Sequence, residues 1–306
     1  MGRVTDARPW PDSIRAGETE QHEPLVRRVL APNPSPYTFS GTQTWLVGAG
    51  SDIAVIDPGP TGSGKSIGDA YGAGHVEAIL RAVGDARVAA ILCTHTHRDH
   101  SPAAAPLKAA TGAPIIGCAP LALNDDGPRA DSAFDPDYAP DRILADGEQV
   151  MGDGWTLTAV ATPGHTSNHL CYALAESGAL FTGDHVMAWS TSVVSPPDGD
   201  MAAYMASLAK LYDRADRVYY PAHGPAVTKP KQLVRGMLGH RKQRERQILN
   251  ELGKGPRAIA DMVAVMYKGL DPRLVAAAGR SVLAHLLDLR ARGLVADGGD
   301  VWSLCA

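Results

Sequence analysis

Short apolar runs alternate with amphipathic segments along most of the chain. The runs DIAVI and VAAILC are almost wholly apolar and are bounded by polar or turn residues, which predicts buried strands. Between them, GHVEAILRAVGD places Val76, Ile79, Leu80 and Val83 at the spacing of a helix with one buried face. Further strand-like and helix-like segments follow in turn. This alternation predicts a layered α/β domain.

Changes in the pattern divide the chain into four segments. Residues 1–36 are Pro-rich and polar, and we expect them to form an extended N-terminal lead-in. Residues 37–228 hold the α/β series, which is interrupted by a long loop at 121–142. Residues 229–252 predict one long connecting helix with a basic face. Residues 253–306 predict helical segments followed by a hairpin with the turn DGGD, which is the order of a winged helix.

Charge is unevenly distributed along the chain, whose net charge is −4. From Thr228 to the end there are 14 basic and 7 acidic residues, so the C-terminal part is basic and the rest is acidic. A basic tail suits an acidic partner such as RNA, or it is a solvated helix surface. We favour the solvated surface because the acidic body would repel a long polyanion. On this interpretation, RNA binding is weak and does not depend on Arg241 or Arg244.

Cysteine usage and hydropathy indicate the compartment. The four cysteines, Cys93, Cys118, Cys171 and Cys305, are scattered and form no C-x-x-C pair, so we expect reduced and mostly buried thiols. No apolar run approaches the roughly 18 residues of a membrane span. The N-terminal stretch lacks the apolar centre of a signal peptide. We therefore expect a cytoplasmic protein that does not associate with membranes.

The string GPTGSGKS at residues 59–66 matches the pattern of a phosphate-binding loop. Such a loop requires Lys65 and Ser66 to begin a helix, whose N-terminus supports the anion. The next residues, SIGDAYGAGH, contain three glycines, and each glycine costs a helix roughly 1 kcal/mol relative to alanine. We therefore interpret the string as a surface loop without a nucleotide.

A dense cluster of histidine and aspartate, THTHRDH, directly follows the apolar run AAILC. In layered α/β folds, groups that follow a strand lie at the sheet edge where ligands bind. Imidazole and carboxylate are ligands of zinc. The segments TPGHT, FTGDH and YYPAHG each place one more such group after an apolar strand. The sequence thus predicts a metal site built from His95, His97, Asp99, His100, His165, Asp184 and His223.

With this ligand order, H-x-H-x-D-H followed by His, Asp and His, the chain resembles the metallo-β-lactamase superfamily over roughly residues 38–227. The resemblance implies an αββα sandwich with two divalent metal ions, zinc above all, at one edge of its paired sheets. It assigns the ligands to two ions: His95, His97 and His165 to one, Asp99, His100 and His223 to the other, and Asp184 to both.

Five further residues are candidates for supporting roles. Asp57, in VIDPG, matches the acidic residue that ends an early strand in this family, and its expected role is to orient the ligands. A simple turn aspartate is the alternative. His169 and His185 are candidates for the layer around the ligands or for a proton relay. Phe134 and Tyr138, on the long loop, are candidates for covering an acyl chain.

The basic helix and the winged-helix-like unit resemble the lactamase-β-like branch, which includes a mitochondrial endoribonuclease and acyl-thioester hydrolases of polyketide synthesis. We expect a dinuclear hydrolase in which a metal-bound hydroxide attacks an ester, thioester, amide or phosphodiester and Asp99 accepts the proton. A small-molecule or acyl substrate is favoured. An endoribonuclease, an acyl-thioester hydrolase and a non-enzymatic winged-helix regulator of nucleic acid remain alternatives. We favour a packing or homodimer role for the winged helix.

Overall fold

Two mixed β-sheets face each other in the computed structural model, which describes residues 15–62, 74–121 and 134–305. The first sheet follows chain order: β1 (Thr19–Glu23), β2 (Val26–Leu30), β3 (Gln43–Val47), β4 (Asp52–Ile56), β5 (Arg87–Cys93), β6 (Ile115–Gly117) and β7 (Arg142–Ile143). The second sheet has the spatial order β12-β11-β10-β9-β8. Its strands are β8 (Gln149–Gly152), β9 (Trp155–Ala161), β10 (Leu170–Leu174), β11 (Ala179–Gly183) and β12 (Val218–Pro221).

Helices cover the outer faces of both sheets. The helices α1 (His75–Val83) and α2 (Ala104–Thr111) pack on the first sheet. The helices α3 (Met201–Asp213) and α4 (Pro230–Leu252) share an apolar cluster with the second sheet. The predicted αββα sandwich is therefore confirmed.

The core between the sheets is rich in aromatic side chains. The ring of Trp45, on β3, lies 4.8 Å from that of Tyr220 and 5.8 Å from that of Phe181, both on the second sheet. The indole N–H of Trp45 donates to the carbonyl oxygen of Pro221 at 3.0 Å. Each such fully buried side chain contributes roughly 1.5–3 kcal/mol of hydrophobic stabilisation. These contacts fix the two sheets relative to each other, and with them the loops at their edges.

The expectation of an extended lead-in over residues 1–36 is wrong for its later part. Residues 19–30 form the hairpin of β1 and β2, which pairs with β3 at the edge of the first sheet. Val26 and Val29 are fully buried, and the guanidinium of Arg28 is buried because it bonds to Glu20 and Gln43. The consecutive residues Arg27 and Arg28 made this strand look polar in the sequence. Hydropathy alone does not distinguish a buried, paired arginine from a solvated one.

The C-terminal part forms a small unit with its own core. It contains α5 (Ile259–Met266), α6 (Val275–Ala291) and the antiparallel hairpin of β13 (Val295–Asp297) and β14 (Trp302–Leu304). Met262, Val282, Leu286 and Trp302 pack against the end of α4. The helix α6 continues without a break through Gly279. This order of helices and hairpin is the winged-helix arrangement that the sequence predicts.

The strands that precede the candidate ligands end at one edge of the sandwich. Strand β5 ends before THTHRDH, β9 before His165, β11 before Asp184 and β12 before His223. The fold therefore delivers ligands from distant parts of the chain to one place. Among the helices that the structure describes, none is both long and apolar enough to span a bilayer.

Candidate metal centre

Three histidines form the first group of the centre. His95 Nε2 lies 3.0 Å from His97 Nδ1, and His165 Nε2 lies 3.1 Å from the same atom. Zinc ligands about 2.0–2.1 Å from a tetrahedral ion lie roughly 3.3 Å from one another. The three nitrogens are thus spaced as ligands of one cation.

Two carboxylates and two imidazoles form the second group. His223 Nε2 lies 3.1 Å from Asp99 Oδ2 and 3.2 Å from Asp184 Oδ1. His100 Nε2 lies 3.4 Å from Asp99 Oδ2 and 3.5 Å from Asp184 Oδ1. Within each group the candidate ligand atoms lie within 4.8 Å of one another.

Asp184 lies between the two groups. Its Oδ1 atom faces His100 and His223 of the second group, whereas its Oδ2 atom lies 3.7 Å from His165 Nε2 of the first. One carboxylate oxygen is therefore directed at each group. This is the position that the resemblance to the superfamily implies for a bridging ligand.

Hydrogen bonds to backbone carbonyls fix two of the imidazoles. His165 Nδ1 donates to the carbonyl oxygen of Val193 at 2.6 Å, and His223 Nδ1 donates to that of Gly41 at 3.3 Å. A carbonyl oxygen only accepts, so the proton of the neutral ring resides on Nδ1. The Nε2 lone pair then points at the other ligands, which is how metal-binding histidines are usually held.

Asp57 orients His100 in a similar way. Its Oδ2 atom accepts from His100 Nδ1 at 3.0 Å and from Thr94 Oγ1 at 2.8 Å, and its Oδ1 atom accepts from Thr94 N at 2.7 Å. Asp57 is 1% exposed. Its backbone has a φ of +49°, a left-handed conformation that residues other than glycine rarely adopt. Such backbone strain concentrates at functional sites.

The two groups differ in their electrostatics. Burial, together with the neighbouring His97, lowers the pKa of His165 to about 4, and burial also lowers that of His95. Burial opposes the protonation of His223 as well, but Asp184 and Asp99 outweigh it and raise its pKa to about 9. His95 and His165 are therefore neutral imidazoles that can bind a cation without losing a proton. In the second group a cation must displace protons.

The donor set fits divalent metal ions. His100 Nε2, Asp184 Oδ1 and His223 Nε2 are buried and make no hydrogen bond within the described part of the chain. A buried polar atom without a hydrogen bond costs roughly 1–3 kcal/mol, and more if it is charged. A cation at the second group would satisfy these atoms, and imidazole with carboxylate is the donor chemistry of zinc and iron sites.

His169 and His185 are fully buried beside the first group. The ring of His169 lies 5.2 Å from that of His95, and its Nδ1 atom shares a 2.9 Å hydrogen bond with Thr162 Oγ1. Burial lowers the pKa of His185 to about 3 and that of His169 well below its usual value. Both are therefore neutral, and the structure places both next to the candidate ligands. Their role as a relay stays a prediction.

The two aromatic candidates, Phe134 and Tyr138, do not line the cavity at the candidate ligands. Phe134 is buried and pairs through its backbone with His97. Tyr138 is buried and lines a different cavity, of about 700 Å³, beside α2. Neither lines the cavity at the candidate ligands, so their contact with a substrate remains a prediction that the geometry does not favour.

A cavity of about 310 Å³ opens onto the candidate ligands and includes residues that sequence reasoning missed. Its walls come from five separate segments of the chain. The lining consists of His97, Asp99, His165 and Asp184 together with Tyr37, Met187, Val193, Ser195, Ala276, Ala277 and Arg280. Arg280, on α6, donates to Ser195 Oγ at 3.2 Å and to the carbonyl oxygen of Pro196, which fixes the winged-helix unit to this wall.

The string GPTGSGKS lies only partly within the described residues. Gly59 N donates to the carbonyl oxygen of His100 at 2.8 Å, and the carbonyl oxygen of Gly59 accepts from Ala103 N at 2.9 Å. The start of the string is thus bonded to the loop that carries the candidate ligands. Lys65 and Ser66 lie outside the described residues, so the absence of nucleotide binding stays a prediction.

Comparison with known families agrees with this geometry. The family model of the metallo-beta-lactamase superfamily matches residues 37–223, and that of the beta-lactamase associated winged helix domain matches residues 258–302. The chain belongs to the metallo-β-lactamase superfamily, and it is a metal-dependent hydrolase.

Individual relatives refine this class. The chain is 32% identical over 232 residues to an atrochrysone carboxyl ACP thioesterase of Aspergillus fumigatus; the match covers 76% of the chain but only 66% of that relative. A beta-lactamase domain protein from Burkholderia ambifaria shares the fold, with a TM-score of 0.78 and 22% identity, over 97% of this chain and 96% of that one. Another solved protein, in a di-iron-bound form, has a TM-score of 0.51 and 27% identity, over 67% of this chain and 96% of that one.

Proposed function

We propose that this protein hydrolyses acyl thioesters with two divalent metal ions bound at the candidate metal centre. The observation that carries the proposal is the pair of ligand groups that share Asp184 at the floor of a cavity. The A. fumigatus relative, which is named as a thioesterase, supports a thioester substrate. We propose zinc as the metal, and the di-iron form of the solved protein makes iron the alternative to test.

The protein's own side chains have distinct roles in this proposal. His95, His97 and His165 would hold one ion, Asp99, His100 and His223 the other, and Asp184 both. When bound, such ions supply Lewis acidity and lower the pKa of water toward about 7. Asp99 lies on the cavity wall with 28% of its side chain exposed, and nearby histidines keep its pKa low despite burial. It is therefore ionised, so its carboxylate can accept a hydrogen bond from the attacking water and orient it.

The cavity suits an acyl group. Met187, Val193, Ala276 and Ala277 provide an apolar wall, and Tyr37 adds a ring at the rim. Ligand sites are mostly apolar clefts of roughly 300–1,000 Å³ with a few polar groups, and this cavity of about 310 Å³ lies at the small end of that range. Because α6 forms part of the wall, we propose that the winged-helix unit shapes the substrate site.

A substrate panel tests the proposal. Purified protein would be assayed with an acyl N-acetylcysteamine thioester, the matching oxygen ester, a phosphodiester and RNA. We expect the thioester to be hydrolysed fastest, the activity to be lost after chelation, and zinc or iron(II) to restore it. Asp184→Asn should lower kcat/KM by about a thousandfold. Asp153→Asn, which changes an exposed carboxylate bonded to Ser51, is the matched control.

Two results would contradict the proposal. Thioester hydrolysis that survives complete removal of metal would exclude the metal-dependent mechanism. RNA cleavage without thioester turnover would instead support the endoribonuclease alternative.

A further inference from the structure

A buried arginine on α4 has no carboxylate partner among the residues that the structure describes. Arg241 is 3% exposed, although the sequence placed it on a solvated face, and that expectation is wrong for this residue. Its guanidinium donates to the carbonyl oxygen of Ser192 and lies 5.0 Å from the ring centre of Tyr204. Its Nε atom makes no hydrogen bond in the described part of the chain. A buried charge is unfavourable unless it is paired, so a bound anion would stabilise the buried guanidinium of Arg241.

A buried histidine lines the same cavity. His285, on α6, is 2% exposed, and neither of its ring nitrogens forms a hydrogen bond among the described residues. Burial, reinforced by the charge of Arg241, lowers its pKa to about 3, so the ring is neutral and offers one N–H donor. Two buried side chains with unsatisfied donors thus border one space.

The space is a cavity of about 510 Å³ between α3, α4 and α6. Lys242 and Arg246 are exposed at its wall, and no described carboxylate lies within ion-pair distance of either. Arg292 also lines it, but that charge is balanced by Glu245 and Asp288, each 2.8 Å away. The lining therefore holds four basic residues, Arg241, Lys242, Arg246 and Arg292, against two acidic residues, Glu245 and Asp288, which leaves a net charge of +2.

We propose that this cavity binds a phosphoryl group of a small molecule. Arginine presents a planar fork of donors that matches phosphate oxygens, and lysine adds a mobile charge. A phosphate dianion would balance the buried charge of Arg241 and accept from His285. The volume exceeds that of a single phosphate, which leaves room for the rest of a small organic molecule.

The site is separate from the metal centre, because none of its lining residues is a candidate ligand. It lies next to the segment that carries Asp184. Ser192, whose carbonyl accepts from Arg241, donates through Oγ to the backbone carbonyls of Asp184 and His185. The proposal does not depend on which bond the enzyme hydrolyses.

Titration calorimetry on the full-length, metal-loaded protein tests the site. Inorganic phosphate, pyrophosphate and adenosine diphosphate are the probes, with chloride and acetate at equal ionic strength for comparison. We expect saturable binding of the phosphoryl compounds only. Lys242→Ala combined with Arg246→Ala should weaken it at least about tenfold, since each substitution removes a charge-assisted contact. Both residues are exposed, so the fold should persist, which thermal unfolding verifies.

Arg235→Ala is the matched control, because Arg235 is an exposed basic residue on the same helix and does not line the cavity. It should leave the affinity unchanged. Phosphate bound at the metal ions would be unaffected by the paired substitution, so an unchanged titration of that variant overturns the proposal. Equal binding of acetate, or no saturable binding of any phosphoryl compound, overturns it as well. Tighter binding of adenosine diphosphate than of pyrophosphate would support an organic phosphate as the ligand. Equal binding of the two compounds would support a free phosphate or pyrophosphate anion.

Discussion

Replacing Asp57 by asparagine should weaken metal binding without changing the backbone. Asparagine tolerates the left-handed conformation that residue 57 adopts, at a φ of +49°. The carboxylate of Asp57 accepts three hydrogen bonds, from Thr94 N, Thr94 Oγ1 and His100 Nδ1. An amide has one oxygen in place of two, so its NH₂ group must face at least one of these donors.

The cost falls mainly on His100. If the amide nitrogen replaces Oδ2, His100 loses the acceptor at Nδ1, or it moves its proton to Nε2, the atom directed at the second ligand group. A protonated Nε2 cannot bind a metal ion. Substituting the residues that orient ligands typically costs 10–100-fold in metal affinity or activity. We therefore expect a loss of that size at the second group, which corresponds to about 1.4–2.7 kcal/mol.

Competition with a chromophoric chelator would measure this loss, in parallel with kcat/KM. The matched control is Asp52→Asn, at the start of the strand β4 that ends just before Asp57. It breaks an ion pair with the exposed Arg87 and should change metal affinity little. Wild-type affinity and activity in Asp57→Asn, with the fold intact, would refute the reasoning.

Two further predictions concern residues away from the ligands. Burial lowers the pKa of His75 to about 4, so on acidification the unfolded chain, with a histidine pKa near 6.5, binds the proton first. The free energy of unfolding should therefore fall as the pH decreases from about 6.5 to about 4. Denaturant titrations of His75→Gln should show this loss reduced by up to about 3 kcal/mol. The same pH dependence of the free energy of unfolding in wild type and variant would contradict this prediction. Lys65→Ala should leave hydrolysis within about twofold, because the glycines that follow GPTGSGKS in the sequence disfavour the helix that a phosphate loop needs. Lys65-dependent ATP binding in calorimetry would overturn that interpretation.

Local patterns predicted the elements that carry the candidate site. An apolar strand followed by a ligand-type residue recurs before His95, His165, Asp184 and His223, and the fold brings these strand ends together. The helix α2 ends at Gly112, whose φ of +72° is left-handed, and a glycine after a helical segment is a local signal of that kind. Such features depend on residues close in sequence, so a single chain reveals them.

The wall of the cavity at the candidate ligands depends on contacts between residues that are distant in sequence. Tyr37 and Arg273 are 236 positions apart, yet the hydroxyl of Tyr37 donates to the carbonyl oxygen of Arg273. No periodicity within either segment reveals that pairing. Arg241 differs, because the heptad spacing of Val234, Arg241 and Ile248 places it on the buried stripe of α4. Its charge outweighed that signal in the sequence interpretation.

The central claim is that this protein is a hydrolase that needs two metal ions. Its most direct test is a titration of chelator-stripped protein with zinc or iron(II), in which bound metal and thioester hydrolysis are measured on the same samples. We predict that binding saturates at about two ions per chain and that activity rises only as both ligand groups fill. Saturation below one ion per chain, or full hydrolysis before any metal is added, would contradict the account.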